Sequence, residues 1–179
     1  MGKLKKGFVQ IYTGDGKGKT TAALGLALRA AGNNYSVCMV QFLKTSRTGE
    51  IESAKKLENN FKIYRFEKKK GFFWTLNDCE KEELRKEVEK AYKFCLETLQ
   101  NNTCDILIMD EIMAILSNGL LSVEKIIKLI DNKPDNMELI LTGRDVPEEI
   151  LQKADLVTEM KNIKHYMDKG ILAREGIEY

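Results

Sequence analysis

The ten-residue stretch YTGDGKGKTT, from Tyr12 to Thr21, constrains the fold of this chain more than any other feature. It follows an apolar run at 7–12 that is typical of a short strand, and it precedes an alanine- and leucine-rich run at 22–31 that is typical of a buried helix. A glycine-rich turn in that position can bring backbone N–H groups against an anion, and the helix N-terminus adds partial positive charge. The stretch therefore predicts a phosphate-binding loop.

Within this loop, Lys19 is expected to reach the outer phosphates of a nucleotide, and the Thr20 hydroxyl is expected to hold a magnesium ion. The spelling departs from the usual G-x-x-x-x-G-K-[ST], because the first glycine would fall on Thr13, whereas Gly14 and Gly16 follow one and three places later. A turn that merely links strand to helix is the alternative. Since each ordered glycine costs entropy, a simple linker gains little from this composition, and we interpret the loop as a triphosphate site.

Five further apolar runs predict strands, with helical patterns between them. The strand runs cover 36–42, 61–66, 104–109, 137–142 and 155–160, and the helical segments cover 50–59, 77–99, 122–130 and 147–154. Asn77 and Glu80 have the spacing of a capping box at the start of the longest helix. Apolar strands separated by helices predict an α/β fold, a mostly parallel sheet with helices on both faces, formed by one domain over 1–179.

Ligand sites in such folds lie beyond the carboxyl ends of the strands. This rule predicts that four polar clusters meet at one edge of the sheet: the loop at 14–21, 42–44, 110–111 and 142–144. Asp110 or Glu111 could bind magnesium opposite Thr20, or a strand-ending aspartate could instead cap the following turn. Arg144 could contact phosphate, or it could pair with Asp145 or Glu148.

The cluster Gly71-Phe72-Phe73-Trp74 holds the only tryptophan and is flanked by lysines. Its aromatic rings could fold onto the core, or they could form a flat apolar wall for a large planar ligand. Composition alone leaves both readings open. The single histidine, His165, has no ligand-spaced partners, so a structural role is favoured over a metal site.

The net charge and the positions of the cysteines limit the partners and the cellular compartment that the sequence predicts. The chain has 29 basic and 27 acidic residues, a net charge of +2, which gives no reason to expect nucleic acid as a partner. Its four cysteines, at 38, 79, 95 and 104, lack metal-site spacing, and Cys38 and Cys95 fall at apolar positions typical of core thiols. Such thiols suit a reducing cytoplasm. No run is long enough to predict a membrane span.

Taken in order, these motifs resemble the corrinoid adenosyltransferases of the P-loop type, which act on cob(I)alamin or cob(I)yrinic acid a,c-diamide. The resemblance covers nearly the whole chain, and the shifted first glycine is this family's own form. It rests on the loop 13–21, on Trp74 and on the segments 40–44, 49–50, 71–72, 109–111, 142–144, 154–155, 164–165 and 173–179.

The resemblance implies a three-layer P-loop NTPase-like, RecA-like fold and a role in cobalamin biosynthesis. Co(I) of a reduced corrinoid would attack the 5′ carbon of ATP, giving an adenosylcobalamin-type product and intact triphosphate. No protein nucleophile is needed, because the cobalt is the nucleophile. Mg²⁺, with Mn²⁺ as an alternative, would be the cofactor. An electron-donor flavoprotein and a homodimer are implied, without nucleic acid or membrane.

The resemblance also assigns residues. Lys19 and Glu111 would be catalytic, Thr20, Glu111 and Asp110 would hold the metal, and Phe72 and Trp74 would line the corrinoid. The phosphates would be held by Gly14, Asp15, Gly16, Lys17, Gly18, Lys19, Thr20 and Thr21. Two departures stand out. Larger members carry an N-terminal extension that helps to cover the active site, whereas here the first predicted strand begins within a few residues of Met1. Phe73 also occupies a position that is often polar.

Two other functions fit the loop alone. A small P-loop kinase or RecA-like ATPase could use Lys19, Asp110 and Arg144 for phosphoryl transfer. A non-catalytic nucleotide- or corrinoid-binding carrier is the third reading. The phosphate product distinguishes them, since the three predict triphosphate, ADP and no turnover respectively.

Overall fold

A parallel sheet forms the centre of the computed structural model, which describes residues 4–57, 59–68 and 73–179. Within these ranges the sheet has six strands in the order β3-β2-β4-β5-β1-β6, and every neighbouring pair is parallel. The strands are β1 (Val9–Thr13), β2 (Val37–Gln41), β3 (Phe61–Tyr64), β4 (Ile106–Asp110), β5 (Glu138–Thr142) and β6 (Leu156–Glu159).

Helices follow the strands and cover the sheet. They are α1 (Lys19–Gly32), α2 (Gly49–Lys55), α3 (Asp78–Gln100), α4 (Ile112–Ser117), α5 (Val123–Asp131) and α6 (Glu148–Leu151), with 3₁₀ turns at Phe73–Thr75 and Tyr166–Lys169. The connections that cross between parallel strands place the carboxyl ends of β1, β2, β4 and β5 at one edge.

The core has two parts, one on each face of the sheet. On one face, α1 contributes alanines such as Ala23 and Ala27 to a cluster with Met39 and Ile108. On the other, α3 and α5 pack against β4 and β5 in a larger cluster. Alternate residues of one strand serve the two faces, since Ile108 belongs to the first cluster and Met109 to the second.

The predicted α/β class, with a parallel sheet and helices on both faces, is confirmed. All six predicted strands are present, with bounds that differ by at most two residues. The capping box is also present: the Glu80 N–H donates to the Asn77 side chain, and the Asn77 N–H donates to the Glu80 carboxylate, both at 2.9 Å. The cysteines at 38, 95 and 104 are buried thiols, and Cys79 is an exposed thiol.

The predicted helix at 50–59 is shorter than expected and ends at Lys55. The chain turns there, because the N–H groups of Asn60 and Phe61 both donate to the Leu57 carbonyl, at 2.8 and 2.7 Å. This turn lets Phe61 enter β3 at once. In the portion of the chain that the structure describes, none of the helices is both long and apolar enough to cross a bilayer.

Candidate active site

The phosphate-binding loop runs from the end of β1 at Thr13 to the start of α1 at Lys19. Gly14 has φ +96° and Gly18 has φ +124°, both in the region that side chains other than glycine rarely adopt. A Cβ on Gly14 would lie 2.9 Å from the Met160 nitrogen and closer still to its carbonyl oxygen. The close approach of Met160, which follows β6, therefore explains why glycine is required at position 14.

Lys19 is almost fully buried in this loop. Its Nζ donates to the carbonyl oxygens of Gly14 at 2.6 Å and Gly16 at 3.0 Å. Burial lowers the pKa of Lys19; Glu111 opposes the shift and Arg144 adds to it. The ammonium group is thus held by neutral carbonyls, which leave its positive charge unneutralised at the loop.

Asp110, at the end of β4, joins the clusters that the sequence places at this edge. Its carboxylate is fully buried and accepts hydrogen bonds from Thr20 Oγ1 at 2.9 Å and Thr142 Oγ1 at 2.7 Å. Gln41 Nε2 donates at 3.3 Å and Lys44 Nζ at 2.7 Å. The predicted convergence of the four clusters is therefore observed.

Lys44 is a residue to which the sequence analysis gave no role. Its Nζ contacts both Asp110 Oδ2 and Thr20 Oγ1, the latter at 3.1 Å. An ammonium group therefore bridges the two oxygens that were expected to face a metal ion. The position of Lys44 just after β2 could have indicated a role at the site. Its partners could not be predicted, because they depend on the path of the chain through Leu43, which has φ +56°.

Glu111 follows Asp110 but points into different surroundings. Its backbone is left-handed, with φ +63°, and its N–H donates to Thr142 Oγ1 at 2.9 Å. Burial raises the pKa of the Glu111 carboxyl, and the neighbouring Asp110 raises it further. The two adjacent carboxylates thus have different surroundings: Asp110 organises the edge of the sheet, and Glu111 lines the cleft.

A second polar network lies beside Asp110. Arg65, just after β3, donates to Gln41 Oε1 at 2.9 and 2.7 Å and to Thr48 Oγ1 at 2.7 Å. Gln41 Nε2 also donates to Glu50 Oε1 at 3.1 Å. These bonds fix the loop between β2 and α2, and so fix Lys44 against Asp110.

Arg144 does not make either of the protein pairs considered from the sequence. Its Nη2 donates to the Asp15 carbonyl at 3.3 Å, and its Nε lies 3.8 Å from Asp15 Oδ1. The guanidinium group is largely exposed and lines the cleft. The alternative of a phosphate contact is therefore compatible with its position.

These groups surround a cleft of about 950 Å³. Seven of the eight residues predicted to hold phosphate line it, together with Lys44, Glu111 and Arg144. The seven are Asp15, Gly16, Lys17, Gly18, Lys19, Thr20 and Thr21. The N–H of Gly16 already donates to the Met160 carbonyl at 2.7 Å, so this amide is directed toward the protein.

The cleft also has a wall that the sequence did not predict. His165 and residues 176–179 line it together with the β2–α2 loop. His165 caps the 3₁₀ turn that follows it, because its Nδ1 accepts a hydrogen bond from the Met167 N–H at 3.1 Å. This contact agrees with the structural role expected for the only histidine.

The two described aromatic residues of the cluster at 71–74 differ: one packs on the core, and the other is exposed as a ligand wall would be. Phe73 is partly buried against the core, whereas 76% of the Trp74 surface is exposed. Trp74 is not among the described residues that line the cleft, so the structure does not bring it to the phosphate loop. Phe72, the other residue predicted to contact a corrinoid, lies outside the described residues.

The oxygen groups of the site fit a magnesium ion. Thr20 Oγ1 and Asp110 Oδ2 both contact one cationic group, the Lys44 ammonium, so both oxygens face a position that a cation can occupy. Among the described residues no cluster of three histidine, cysteine or acidic side chains could form a complete metal cage. Magnesium does not need one, since it is usually held by one or two protein oxygens, phosphate oxygens and water.

A family model described as ATP:corrinoid adenosyltransferase BtuR/CobO/CobP matches residues 5–179. The chain belongs to this family. The corrinoid adenosyltransferase of Escherichia coli (strain K12) is 31% identical over 176 residues, covering 98% of this chain and 87% of that protein. "Corrinoid adenosyltransferase CobA" of Salmonella typhimurium has the same identity and coverage. The predicted family, and the prediction of an enzyme, are therefore confirmed.

A solved structure supports the fold. The crystal structure of the flagellar accessory protein FlaH from Methanocaldococcus jannaschii matches with a TM-score of 0.55 at 19% identity. The match covers 87% of this chain and 72% of that one. At this identity the likeness concerns architecture alone, and it agrees with the P-loop NTPase-like class expected for this adenosyltransferase family.

Proposed function

We propose that this protein transfers the 5′-deoxyadenosyl group of ATP to the Co(I) ion of a reduced corrinoid and releases intact triphosphate. The observation that carries the proposal is the meeting of Lys19, Thr20, Glu111 and Arg144 around one cleft in a chain of this family. Three of these groups suit a polyphosphate: two cationic side chains and the hydroxyl at the start of α1.

In the proposed reaction, the corrinoid is a substrate and supplies the nucleophile. The electron pair of Co(I) forms a bond to C5′ of ATP, the C5′–O bond breaks, and the triphosphate leaves with that bond's electrons. Cobalt is thereby oxidised to Co(III). Since no proton has to be moved at the reacting carbon, the site needs no general base.

The chain's contribution is to hold the leaving group and to stabilise its growing negative charge. The α1 N-terminus would face the phosphates with its free N–H groups, and Lys19 would turn from the carbonyls of Gly14 and Gly16 to a phosphate oxygen. Two unit charges about 4 Å apart at an effective dielectric constant near 20 attract by roughly 4 kcal/mol. This interaction is large enough to dominate the contribution of any exposed charge at the rim.

A magnesium ion would be held by Thr20, Asp110 and Glu111, and would add a second positive charge beside the phosphates. Lys44 would then leave its position between Thr20 and Asp110. Its side chain is 26% exposed, so it has a route to solvent or to a phosphate oxygen. Mn²⁺ has similar oxygen preferences and is the expected substitute.

Trp74 is proposed to contact the corrinoid, together with Phe72, as the family resemblance implies. The exposure of the Trp74 ring supports this, because a large apolar side chain at the surface suits a flat apolar ligand. Displacing a lower axial ligand of Co(II) would make the ion easier to reduce. An electron-donor flavoprotein is the proposed source of electrons.

A homodimer in the cytoplasm completes the proposal. Exposed apolar side chains on β6 and in the segment that follows it support self-association, among them Val157 at 45%, Ile163 at 87% and Leu172 at 80%. Sedimentation analysis of the protein over a range of concentrations tests this part. A monomer at all concentrations would contradict it.

The reaction is tested by anaerobic incubation of the protein with ATP, Mg²⁺ and chemically reduced cobalamin. We expect the absorption spectrum to develop the signature of a cobalt–carbon bond, with one triphosphate released per bond formed. ADP as the product would instead indicate a phosphotransferase or ATPase. Binding without turnover would indicate a carrier.

A further inference from the structure

The segment that follows β6 packs directly on the phosphate-binding loop. A Cβ on Gly16 would lie 2.7 Å from the Met160 oxygen and 2.8 Å from the Lys161 carbonyl carbon. The Gly16 N–H donates to that same Met160 oxygen. One loop residue is therefore held by the backbone of the C-terminal segment, which we define as residues 160–179.

The next loop residue, Lys17, is held by side chains of that segment. Its Nζ donates to Glu178 Oε1 at 2.6 Å and to the Tyr166 hydroxyl at 3.0 Å, and it approaches the Ile177 carbonyl at 3.4 Å. All three partners lie about 150 to 160 residues further along the chain. The Lys17 side chain is thus directed to the C-terminal segment.

Glu178 is the centre of this arrangement. Besides Lys17, it accepts hydrogen bonds from the Tyr166 hydroxyl, from the Arg174 N–H at 2.8 Å and from the Arg174 guanidinium group. Arg174 first, and then Lys17 and Tyr166, hold the pKa of Glu178 far below its usual range. The carboxylate stays ionised, and its side chain is only 16% exposed.

We propose that Glu178 is a positioning residue for ATP: by holding Lys17, it fixes the phosphate-binding loop in its binding shape and keeps the C-terminal segment in place as a wall of the cleft. The proposal rests on the proposed function of this cleft as an ATP site. The three glycines of the loop make it costly to order. Anchoring Gly16 and Lys17 before the nucleotide arrives removes part of that cost from binding.

This role predicts that loss of Glu178 changes the affinity for ATP but not kcat. Loss of Glu178 should weaken ATP binding, because the loop must then be ordered by the nucleotide itself. At saturating ATP the loop is again ordered, so kcat should change little. A residue that merely stabilises the fold would lower the melting temperature and leave the affinity of the folded protein unchanged.

The test compares Glu178→Gln, Lys17→Met and the double variant with Glu175→Gln, a matched change in the same segment. Glu175 is exposed and has no ion pair among the described residues. ATP and inorganic triphosphate are titrated calorimetrically into each protein with Mg²⁺ present. Adenosylation kinetics then give KM for ATP and kcat, and hydrogen exchange reports on the amides at 14–18.

We expect Glu178→Gln to weaken ATP and triphosphate binding about 10-fold, with kcat within about 3-fold of the parent, and Lys17→Met to weaken binding at least as much. The double variant should bind ATP no more weakly than Lys17→Met alone, since the loss of Lys17 already breaks the contact with Glu178. Loop amides should exchange faster in all three proteins, and Glu175→Gln should behave like the parent.

Unchanged nucleotide affinity in Glu178→Gln would overturn the proposal, and so would additive losses in the double variant. A fall in melting temperature alone would assign Glu178 a purely structural role and would also overturn it. Failure of the proposed function is a separate result. If the parent released ADP, the affinity comparison would still decide the role of Glu178.

Discussion

Replacing Gly14 with alanine tests whether the position of the first loop glycine is set by the segment after β6. Two costs follow from the structure. The residue has φ +96°, and the new Cβ would lie 2.9 Å from the Met160 nitrogen and closer to its carbonyl oxygen. The backbone strain costs about 1–3 kcal/mol, and the steric overlap costs roughly another 1–3 kcal/mol.

The expected total is therefore about 2–6 kcal/mol, a large share of the stability of a typical domain. The matched control is Gly25→Ala in the exposed part of α1, where a Cβ would meet nothing within 4 Å. That change should stabilise the protein by about 0.5–1 kcal/mol, because alanine is the better helix former.

Urea unfolding and ATP titration of both variants measure the effect. If the loop keeps its shape, Gly14→Ala should unfold at lower urea concentration; if the loop moves away, the cost should appear as weaker ATP binding. The reasoning is refuted if Gly14→Ala matches the parent in both measurements, or if the two glycine variants shift stability in the same direction.

Three further changes test the site. Lys19→Ala should keep the parent's circular dichroism spectrum and lower kcat/KM for ATP about 1000-fold, as expected from a lost interaction of roughly 4 kcal/mol; normal turnover would contradict the loop assignment. Because burial raises the pKa of Glu111, acidification should protonate it before an ordinary glutamate, so the Mg²⁺ concentration needed for half-maximal turnover should rise as pH falls. Glu111→Gln should need a high Mg²⁺ concentration at every pH. If this variant kept the pH dependence of the parent, Glu111 would not be the metal ligand whose protonation causes it. Trp74→Ala should reduce turnover that starts from Co(II) more than turnover of pre-reduced Co(I), and equal losses would argue against a corrinoid contact.

The sequence was sufficient for the fold and for the edge of the sheet where the site lies. Hydrophobic periodicity located the six strands of the described sheet, and the rule for parallel sheets then placed the residues after β1, β2, β4 and β5 together. The Asn77 capping box was recognisable because both partners lie within one turn of helix. These features depend on local pattern, which a single sequence contains.

The contacts that complete the site depend on distant segments and were not predictable in this way. Lys44 reaches Asp110 across 66 residues, and Lys17 reaches Glu178 across 161. Arg144 pairs with Asp15 instead of its chain neighbours. Each pairing requires the three-dimensional path of a loop, for which periodicity gives no information.

The Lys44 bridge bears on how the cleft takes up ions. Since an ammonium group already pairs with Asp110, a divalent cation that entered between Asp110 and Thr20, as proposed, would have to displace that ammonium group. The cleft would then contain the metal ion and, in addition, the Lys44 ammonium group without its carboxylate partner. An anionic ligand would then be attracted both by the metal ion and by the released Lys44 ammonium group. Binding of the metal and binding of the nucleotide should therefore be cooperative.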